Sequence, residues 1–342
     1  MAMSHPPPVN LWLLLSESKR IINAHSRHFL ALSVLFLLPL CFSATVYPSV
    51  IRLLSDQSTA PDSVSLLRSG LKYHPSAAAS NTVVLLQIVY SVVSTVFNLL
   101  ATGSITYSVL QGFYGRPVKL LPAIKSGFAS FFPLLGTSIS IQIIVFGVTA
   151  ILVFSAIVLN MGFDLFGIEI NFSSPYSLAL VIVLAIVLIA IVTNLCVDWI
   201  LVRVIVVIES KWGFTPLKRS KTLVKGMRGV SFSLTLFFVF TGSVLTWSSF
   251  LDSFAKLAGS DGATDETRWT NAFFVLKIVI TSAFLTLLLL YNMAAITVLY
   301  VYCKAAHGEF GSEIGAEFAE EYASLPFDDG KVFHLVSAAD NV

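Results

Sequence analysis

Six long stretches without an Asp, Glu, Lys or Arg constrain this sequence more than any other feature. They occupy residues 28–51, 73–115, 126–163, 170–197, 229–251 and 278–303. A helix needs about 20 predominantly apolar residues to cross the hydrocarbon core of a bilayer, and each stretch can hold one crossing. The sequence therefore predicts an all-α polytopic membrane protein with six transmembrane helices.

The predicted organisation has three parts. Residues 1–28 form a cytoplasmic segment with an amphipathic helix, residues 29–303 the six-span domain, and residues 304–342 an acidic cytoplasmic tail. The spans are expected near 29–50, 82–107, 130–157, 176–200, 230–251 and 272–303. Only 12% of the chain is charged, against about 25% in soluble domains. About 28 residues precede the first span and no convincing cleavage site follows it, so we expect a retained signal-anchor.

The distribution of Lys and Arg predicts the orientation. Six spans place both termini and two of the loops on one side of the membrane, and these segments carry 14 of the 21 basic residues. The loops on the opposite side carry 5. The positive-inside rule then places both termini in the cytoplasm. The sequon at Asn171 falls on the opposite side, where N-glycosylation occurs, so Asn171 is a candidate modification site.

Two loops on the predicted cytoplasmic side contain similar segments. "PVKLLPAIKSGF" begins at Pro117 and "PLKRSKTLVKGM" at Pro216, and each leads into an apolar stretch. "LLSESKRIINAHSRHF", near the N-terminus, is a third polar-apolar segment before a span. We interpret the chain as three transmembrane hairpins in the same orientation, each preceded by a cytoplasmic interfacial amphipathic helix, as in parallel-repeat membrane proteins. Chance similarity is the alternative for so short a match.

The segment from Thr215 to Arg228 is the most basic in the chain. Thr215 is a predicted N-cap with Pro216 at the first helical position, and Gly226 permits an early end. On such a helix the cations share a flank, and the apolar side is expected in the acyl boundary. Candidate lipid-headgroup or partner-binding residues are Lys218, Arg219, Lys221, Lys225 and Arg228, with Lys119 and Lys125 in the earlier loop. The alternative is that these charges only fix topology during insertion.

These residues also carry a resemblance. "VIESKWGFTPLKRSKTLVKGMR" is similar to the signature of a group of six-span domains that includes the membrane domain fused to some bacterial glycerophosphoryl diester phosphodiesterases. The matching positions include Glu209, Gly213 and Lys225-Gly226, and Pro216 replaces the usual alanine. "RIINAHSRHFLALSVLFLLPL" and "EEYASLPFDDGKV" resemble an uncharacterised family of plant six-span membrane proteins, over nearly the whole chain. The resemblance implies a fold and not an enzyme, because the phosphodiesterase domain has no counterpart here.

The sequence offers little catalytic chemistry. It has no GxSxG, P-loop or HExxH motif, and its three cysteines lie in apolar stretches as small fillers. We therefore predict no enzyme, cofactor or metal, and no nucleic-acid partner. Asp198 and Arg203 lie at the end of the fourth predicted span, where snorkelling or capping by neighbours is the favoured account. A proton or cation role is the alternative for these two residues.

Five amide side chains fall within the predicted spans: Gln87, Asn98, Gln142, Asn194 and Asn292. Interhelical hydrogen bonds are their ordinary use in membranes. A polar substrate path is the alternative. If Asn98, Gln142, Asn194 and Asn292 line one central cavity, transport gains support; if they pair between helices, it loses support.

The predicted function is that of a non-enzymatic membrane organiser or adaptor in the endoplasmic reticulum, Golgi or plasma membrane. Its partners would be the lipid bilayer, anionic phospholipids and other membrane proteins, contacted through basic cytoplasmic helices. The alternative is a small transporter or channel between the three hairpins. The acidic tail from Glu309 to Asp329 is a further hypothesis, namely a helix that folds back onto residues 215–228 and competes there with anionic lipid.

Overall fold

The apolar stretches of the chain form long helices, and shorter helices lie between them. The computed structural model describes residues 9–59, 75–165, 175–257 and 272–308, and within these ranges every regular element is helical. The helices are α1 Leu11–Ala24, α2 Ser26–Leu32, α3 Leu38–Thr59, α4 Pro75–Phe113, α5 Leu120–Ala129, α6 Phe131–Leu165, α7 Pro175–Asp198, α8 Val202–Glu209, α9 Thr215–Val224, α10 Arg228–Leu257 and α11 Ala272–Ala306. A π-helical turn, Ser33–Leu37, connects α2 to α3.

Six helical segments are long and apolar enough to cross a membrane. They are Ser26–Ile51, Val83–Phe113, Phe131–Val158, Ile182–Glu209, Arg228–Trp247 and Val275–Ala306. The prediction of an all-helical integral membrane protein with six such helices is confirmed at this level. The fourth segment differs in extent from the prediction, since it continues through α8 to Glu209 instead of ending at residue 200. Asn171 and the tail from Glu309 onwards lie outside the described residues.

Helix α11 is the centre of the packing. Ala294, Val298, Leu299, Tyr300 and Cys303 are all buried, and α11 packs against α1, α3, α4 and α10. The helix at the opposite extreme is α6, whose most apolar window has no buried residue. Consecutive long helices also contact each other: α3 packs on α4, α6 on α7 and α10 on α11.

The three short helices α1, α5 and α9 cover the same end of the long helices, and we call them the short-helix layer. α1 packs on α11 and α4, α5 on α4 and α6, and α9 on α7, α8 and α11. Two contacts mark that end: the rings of Phe113 in α4 and Tyr302 in α11 lie 6.4 Å apart, and Cys303 Sγ of α11 lies 3.6 Å from Sδ of Met227, just before α10. Each helix predicted ahead of a hairpin is therefore present as a helix.

The apolar faces of α1 and α9 are buried in protein. Leu14 and Ile21 of α1 and Leu217, Leu223 and Val224 of α9 are almost inaccessible. This differs from the expectation that the apolar side of residues 215–228 lies in the acyl boundary, because neighbouring helices already cover it. α5 is different, since its Leu121 and Phe128 are exposed.

Helices α4 and α5 approach closely at Gly103 and Gly127. A Cβ on Gly103 would lie 2.8 Å from Gly127 Cα, and a Cβ on Gly127 would overlap Ser104 Oγ. Small residues allow helix backbones in membrane proteins to come this close. The glycine pair therefore fixes where α5 crosses α4.

Candidate functional site

Three lysines at the end of the short-helix layer are the exposed cations of the predicted basic segment that form no ion pair among the described residues. Lys218 and Lys221 lie on α9 and Lys225 in the turn after it, and all three are exposed. We call them the lysine surface. Because the opposite face of α9 is buried, the helix holds these ammonium groups outward on a fixed support. No ion-pair partner of these lysines lies among the described residues.

The local structure of this segment corrects the predicted start of the helix and agrees with its early end. The N-cap of α9 is Phe214, which offers no side-chain hydrogen bond, and Thr215 is the first helical residue. The helix ends at Val224, and Gly226 has a φ of +116°, which a residue with a side chain rarely adopts. The early end allowed for Gly226 is thus observed, and Arg228 begins α10.

Two of the predicted cations are engaged in ion pairs within the protein. Arg219 Nε lies 3.4 Å from Glu209 Oε1, and Arg228 Nε donates to Asp198 Oδ1 at 3.0 Å. The other two predicted cations, Lys119 and Lys125, are exposed at the N-cap and within α5. The seven predicted residues therefore divide between the lysine surface, two ion-paired arginines and a separate helix, and of the two arginines Arg228 remains 57% exposed.

Glu209 joins three elements through its carboxylate. It accepts hydrogen bonds from Lys211 Nζ at 2.8 Å and from the Tyr300 hydroxyl at 3.1 Å, besides its contact with Arg219. Its side chain is only 11% exposed. These contacts tie the end of α8 to α9 and to the buried part of α11, so they hold the support of the lysine surface in place.

Asp198 ties α7 to the same region. Its carboxylate pairs with Arg228 at the start of α10, and its carbonyl accepts a hydrogen bond from the buried Ser220 hydroxyl of α9 at 2.7 Å. The sequence predicted capping by neighbours or snorkelling for this residue. The observed arrangement is capping by named partners, 22 and 30 residues away in the chain.

A polar cavity lies beside the break between α7 and α8. α7 ends at Asp198, residues 199–201 form a turn, and Arg203 stands on the first turn of α8. The cavity measures about 230 Å³ and lies where α4, α6 and α8 meet. We call it the Arg203 cavity. Its polar lining consists of Thr95, Asn98, Thr137, Ser138, Gln142 and Arg203.

A second space is an open groove of about 440 Å³ between α7 and α10. Asn194 and Arg228 line it, but the Asn194 amide donates to the Ala190 carbonyl of its own helix at 2.9 Å. Asn98 and Gln142 belong to the Arg203 cavity, and Asn292 lines neither space. In the described part of the chain, these four amides therefore do not share one central cavity.

Within the described ranges, no group of three or more His, Cys, Asp or Glu residues is placed to hold a metal ion. His28 Nε2 lies 2.9 Å from Ser108 Oγ, which connects α2 to α4. Cys41 and Cys303 are buried and Cys196 is exposed.

Six apolar helices of membrane-spanning length, with a layer of short helices at one end, are those of an α-helical integral membrane protein. The chain belongs to the family described as a domain of unknown function, DUF8558, whose family model matches residues 9–314. No curated protein and no solved structure matches the chain.

Sequence reasoning found the lysine surface but missed the Arg203 cavity. Arg203 itself was visible as a lone cation in an apolar stretch. Its surroundings were not, because the turn at residues 199–201 contains neither Gly nor Pro. The signal in the sequence was that Asn98, Gln142 and Arg203 are polar residues in three different membrane-length segments. This pattern indicates a shared site only once α4, α6 and α8 are known to be in contact.

Proposed function

We propose that this protein is a non-enzymatic membrane organiser or adaptor that contacts anionic lipids through its lysine surface. The observation that carries this proposal is the exposure of Lys218, Lys221 and Lys225 on a segment whose apolar side is packed into the protein. Cations on a helix that is already packed against the protein attract anionic headgroups without the further cost of ordering its backbone.

The proposal includes an orientation. In it, the short-helix layer lies on the cytoplasmic side, both termini are cytoplasmic, and the long helices form three transmembrane hairpins in an endomembrane or plasma membrane of a plant cell. The pairwise packing of α3 with α4, α6 with α7 and α10 with α11 supports the hairpins. The bias of Lys and Arg supports the orientation.

The strength of the proposed contact follows from the charges that are available. A basic residue near an anionic cytoplasmic leaflet contributes about 1 kcal/mol. The three residues of the lysine surface therefore give about 3 kcal/mol before screening. Arg219 and Arg228 contribute less than the sequence suggested, because Glu209 and Asp198 already neutralise them. Contact of this kind weakens as salt is added.

Lipid enrichment around the reconstituted protein tests the proposal. Energy transfer from Trp to a fluorescent anionic lipid is measured in phosphatidylcholine bilayers, for the native chain and for Lys218→Gln/Lys221→Gln/Lys225→Gln. We expect enrichment for the native chain, its loss in the triple Gln variant, and its decline with salt. The matched control is the triple Arg variant at the same positions, which keeps the charge and should keep the enrichment. Equal enrichment in the triple Gln variant contradicts the proposal.

Transport receives no comparable support. The four described amides do not share one space, and Asn292 lines neither of the two, whereas a substrate path requires them to follow one another across the membrane. The Arg203 cavity is also smaller than the roughly 300–1,000 Å³ typical of small-molecule sites. We therefore retain the organiser or adaptor as the proposed function.

A further inference from the structure

Arg203 has no partner of its own in the part of the chain that the structure describes. Among the described residues, it makes neither an ion pair nor a hydrogen bond, in contrast to Arg219 and Arg228. It nevertheless lies inside the fourth membrane-length segment. An arginine at such a position is costly unless a partner or water compensates its charge, and it marks a functional site by default.

The polar side chains around Arg203 are all uncharged and include hydrogen-bond donors. The Asn98 and Gln142 amides each supply an NH₂ group, and the cavity lining contains no carboxylate. The hydroxyl hydrogens of Thr95 and Thr137 are already donated to the carbonyls of Ser91 and Pro133. A guanidinium with two amide groups matches an anion with several oxygens, since Arg binds phosphate through two parallel hydrogen bonds.

The size and surroundings of the cavity indicate where that anion comes from. A volume of about 230 Å³ accommodates a headgroup and not a whole lipid. The neighbouring surface of α6 is apolar and exposed, with Ile139 and Ile143 on it. An acyl chain can lie along such a surface while the phosphate enters between the helices. A free phosphate ion would share the polar contacts but not the apolar one.

We propose that the Arg203 cavity binds the phosphate of an anionic phospholipid, with Arg203, Asn98 and Gln142 as its donors. This site is separate from the lysine surface and does not depend on the proposed function. The lysine surface attracts a diffuse population of anionic lipid, whereas the Arg203 cavity holds one molecule.

Native mass spectrometry from mild detergent tests this site. The protein is titrated with phosphatidylglycerol, with phosphatidylcholine as the zwitterionic comparison, and the bound lipid is counted. We expect one tightly held phosphatidylglycerol, weakened about tenfold or more in Arg203→Gln, the scale of one lost charged contact. Arg27→Gln is the matched control, because it makes the same substitution at an exposed cation of α2 outside both the cavity and the lysine surface, and it should change the affinity less than twofold. Unchanged binding by Arg203→Gln overturns the proposal.

Two further variants separate recognition from mere charge. Arg203→Lys keeps a cation that can extend to the membrane interface but loses the planar fork, so we expect several-fold weaker binding. Full affinity in Arg203→Lys overturns the phosphate geometry proposed here. Asn98→Ala/Gln142→Ala removes the amide donors with Arg203 intact and should also weaken binding several-fold. This double variant keeps the test decisive if Arg203→Gln does not fold.

The source of the anion and the location of the lipid are resolved in the same series. Inorganic phosphate is added as a competitor, and thermal stability is recorded alongside. Stabilisation by inorganic phosphate alone, absent in Arg203→Gln, overturns the lipid as the source and assigns the free anion. The triple Gln variant of the lysine surface should keep the tight lipid. If it loses that lipid while Arg203→Gln keeps it, the lipid sits on α9 and the cavity proposal fails.

Discussion

At the scale of single residues, the charged groups of this protein differ in whether the fold gives them a partner. Glu209 receives donors from Lys211, Arg219 and Tyr300. Asp198 has Arg228, and Arg203 has no such partner in the described residues. The carboxylates of Glu209 and Asp198 thus stabilise the short-helix layer, whereas the guanidinium of Arg203 is available to bind a ligand.

Replacing Glu209 tests its role as a connector. Glu209→Gln keeps the size of the side chain and removes the charge that Lys211 and Arg219 neutralise. We expect a loss of about 1–3 kcal/mol, the scale for a charged hydrogen bond at a mostly buried site. Thermal unfolding in detergent measures it. Lys211→Gln is the control, since it removes only the half-exposed partner of Glu209, and such exposed pairs contribute about 0–1 kcal/mol. Equal melting of both variants would refute the connector role.

Charges were predictable from the sequence, but their partners were not. Tyr300 is 91 residues from Glu209, and Arg228 is 30 residues from Asp198. Periodicity describes neighbours on one helix and says nothing about such pairs. The same limit explains why Arg219 and Arg228 were grouped with the lipid-facing lysines: the carboxylates that neutralise them lie on other helices.

At the scale of helices, the two similar loop segments use their shared glycine differently. Gly127 lies within α5 at the crossing with α4, and Gly226 ends α9 at a positive φ. The helices before the spans were predictable, because an amphipathic pattern and a following apolar stretch are local signals. The two glycines have different roles because each helix packs against different neighbours. The similarity of the two sequence segments therefore did not predict these roles.

The glycine crossing predicts a sharp difference between two substitutions. Gly127→Ala places a methyl group against Ser104 Oγ and the Leu100 carbonyl, and overpacking of this kind costs about 1–3 kcal/mol. Gly147→Ala in α6 is the matched control, since nothing lies within 4 Å of its added Cβ. We expect a lower melting temperature for Gly127→Ala and no loss for Gly147→Ala. A Gly127→Ala variant as stable as the native chain would show that α5 shifts without cost.

At the scale of the whole molecule, the orientation determines whether the lysine surface can meet the cytoplasmic leaflet. Cys41 and Cys303 are buried, so replacing Cys196 alone gives a suitable background for labelling. In sealed microsomes, Lys221→Cys should react with an impermeant maleimide from the cytoplasmic side. Ser260→Cys, in a loop predicted on the other side, should react only after permeabilisation. The reverse pattern would reject the orientation and with it the proposed lipid contact.

The central position of α11 has a consequence for biosynthesis. It is the last of the six apolar helices to leave the ribosome, yet α1, α3, α4 and α10 all pack against it. The earlier helices must therefore wait in the translocon or the surrounding lipid without their common partner. Quality-control factors that recognise unassembled membrane segments would meet this chain throughout translation, until its final helix enters and closes the bundle.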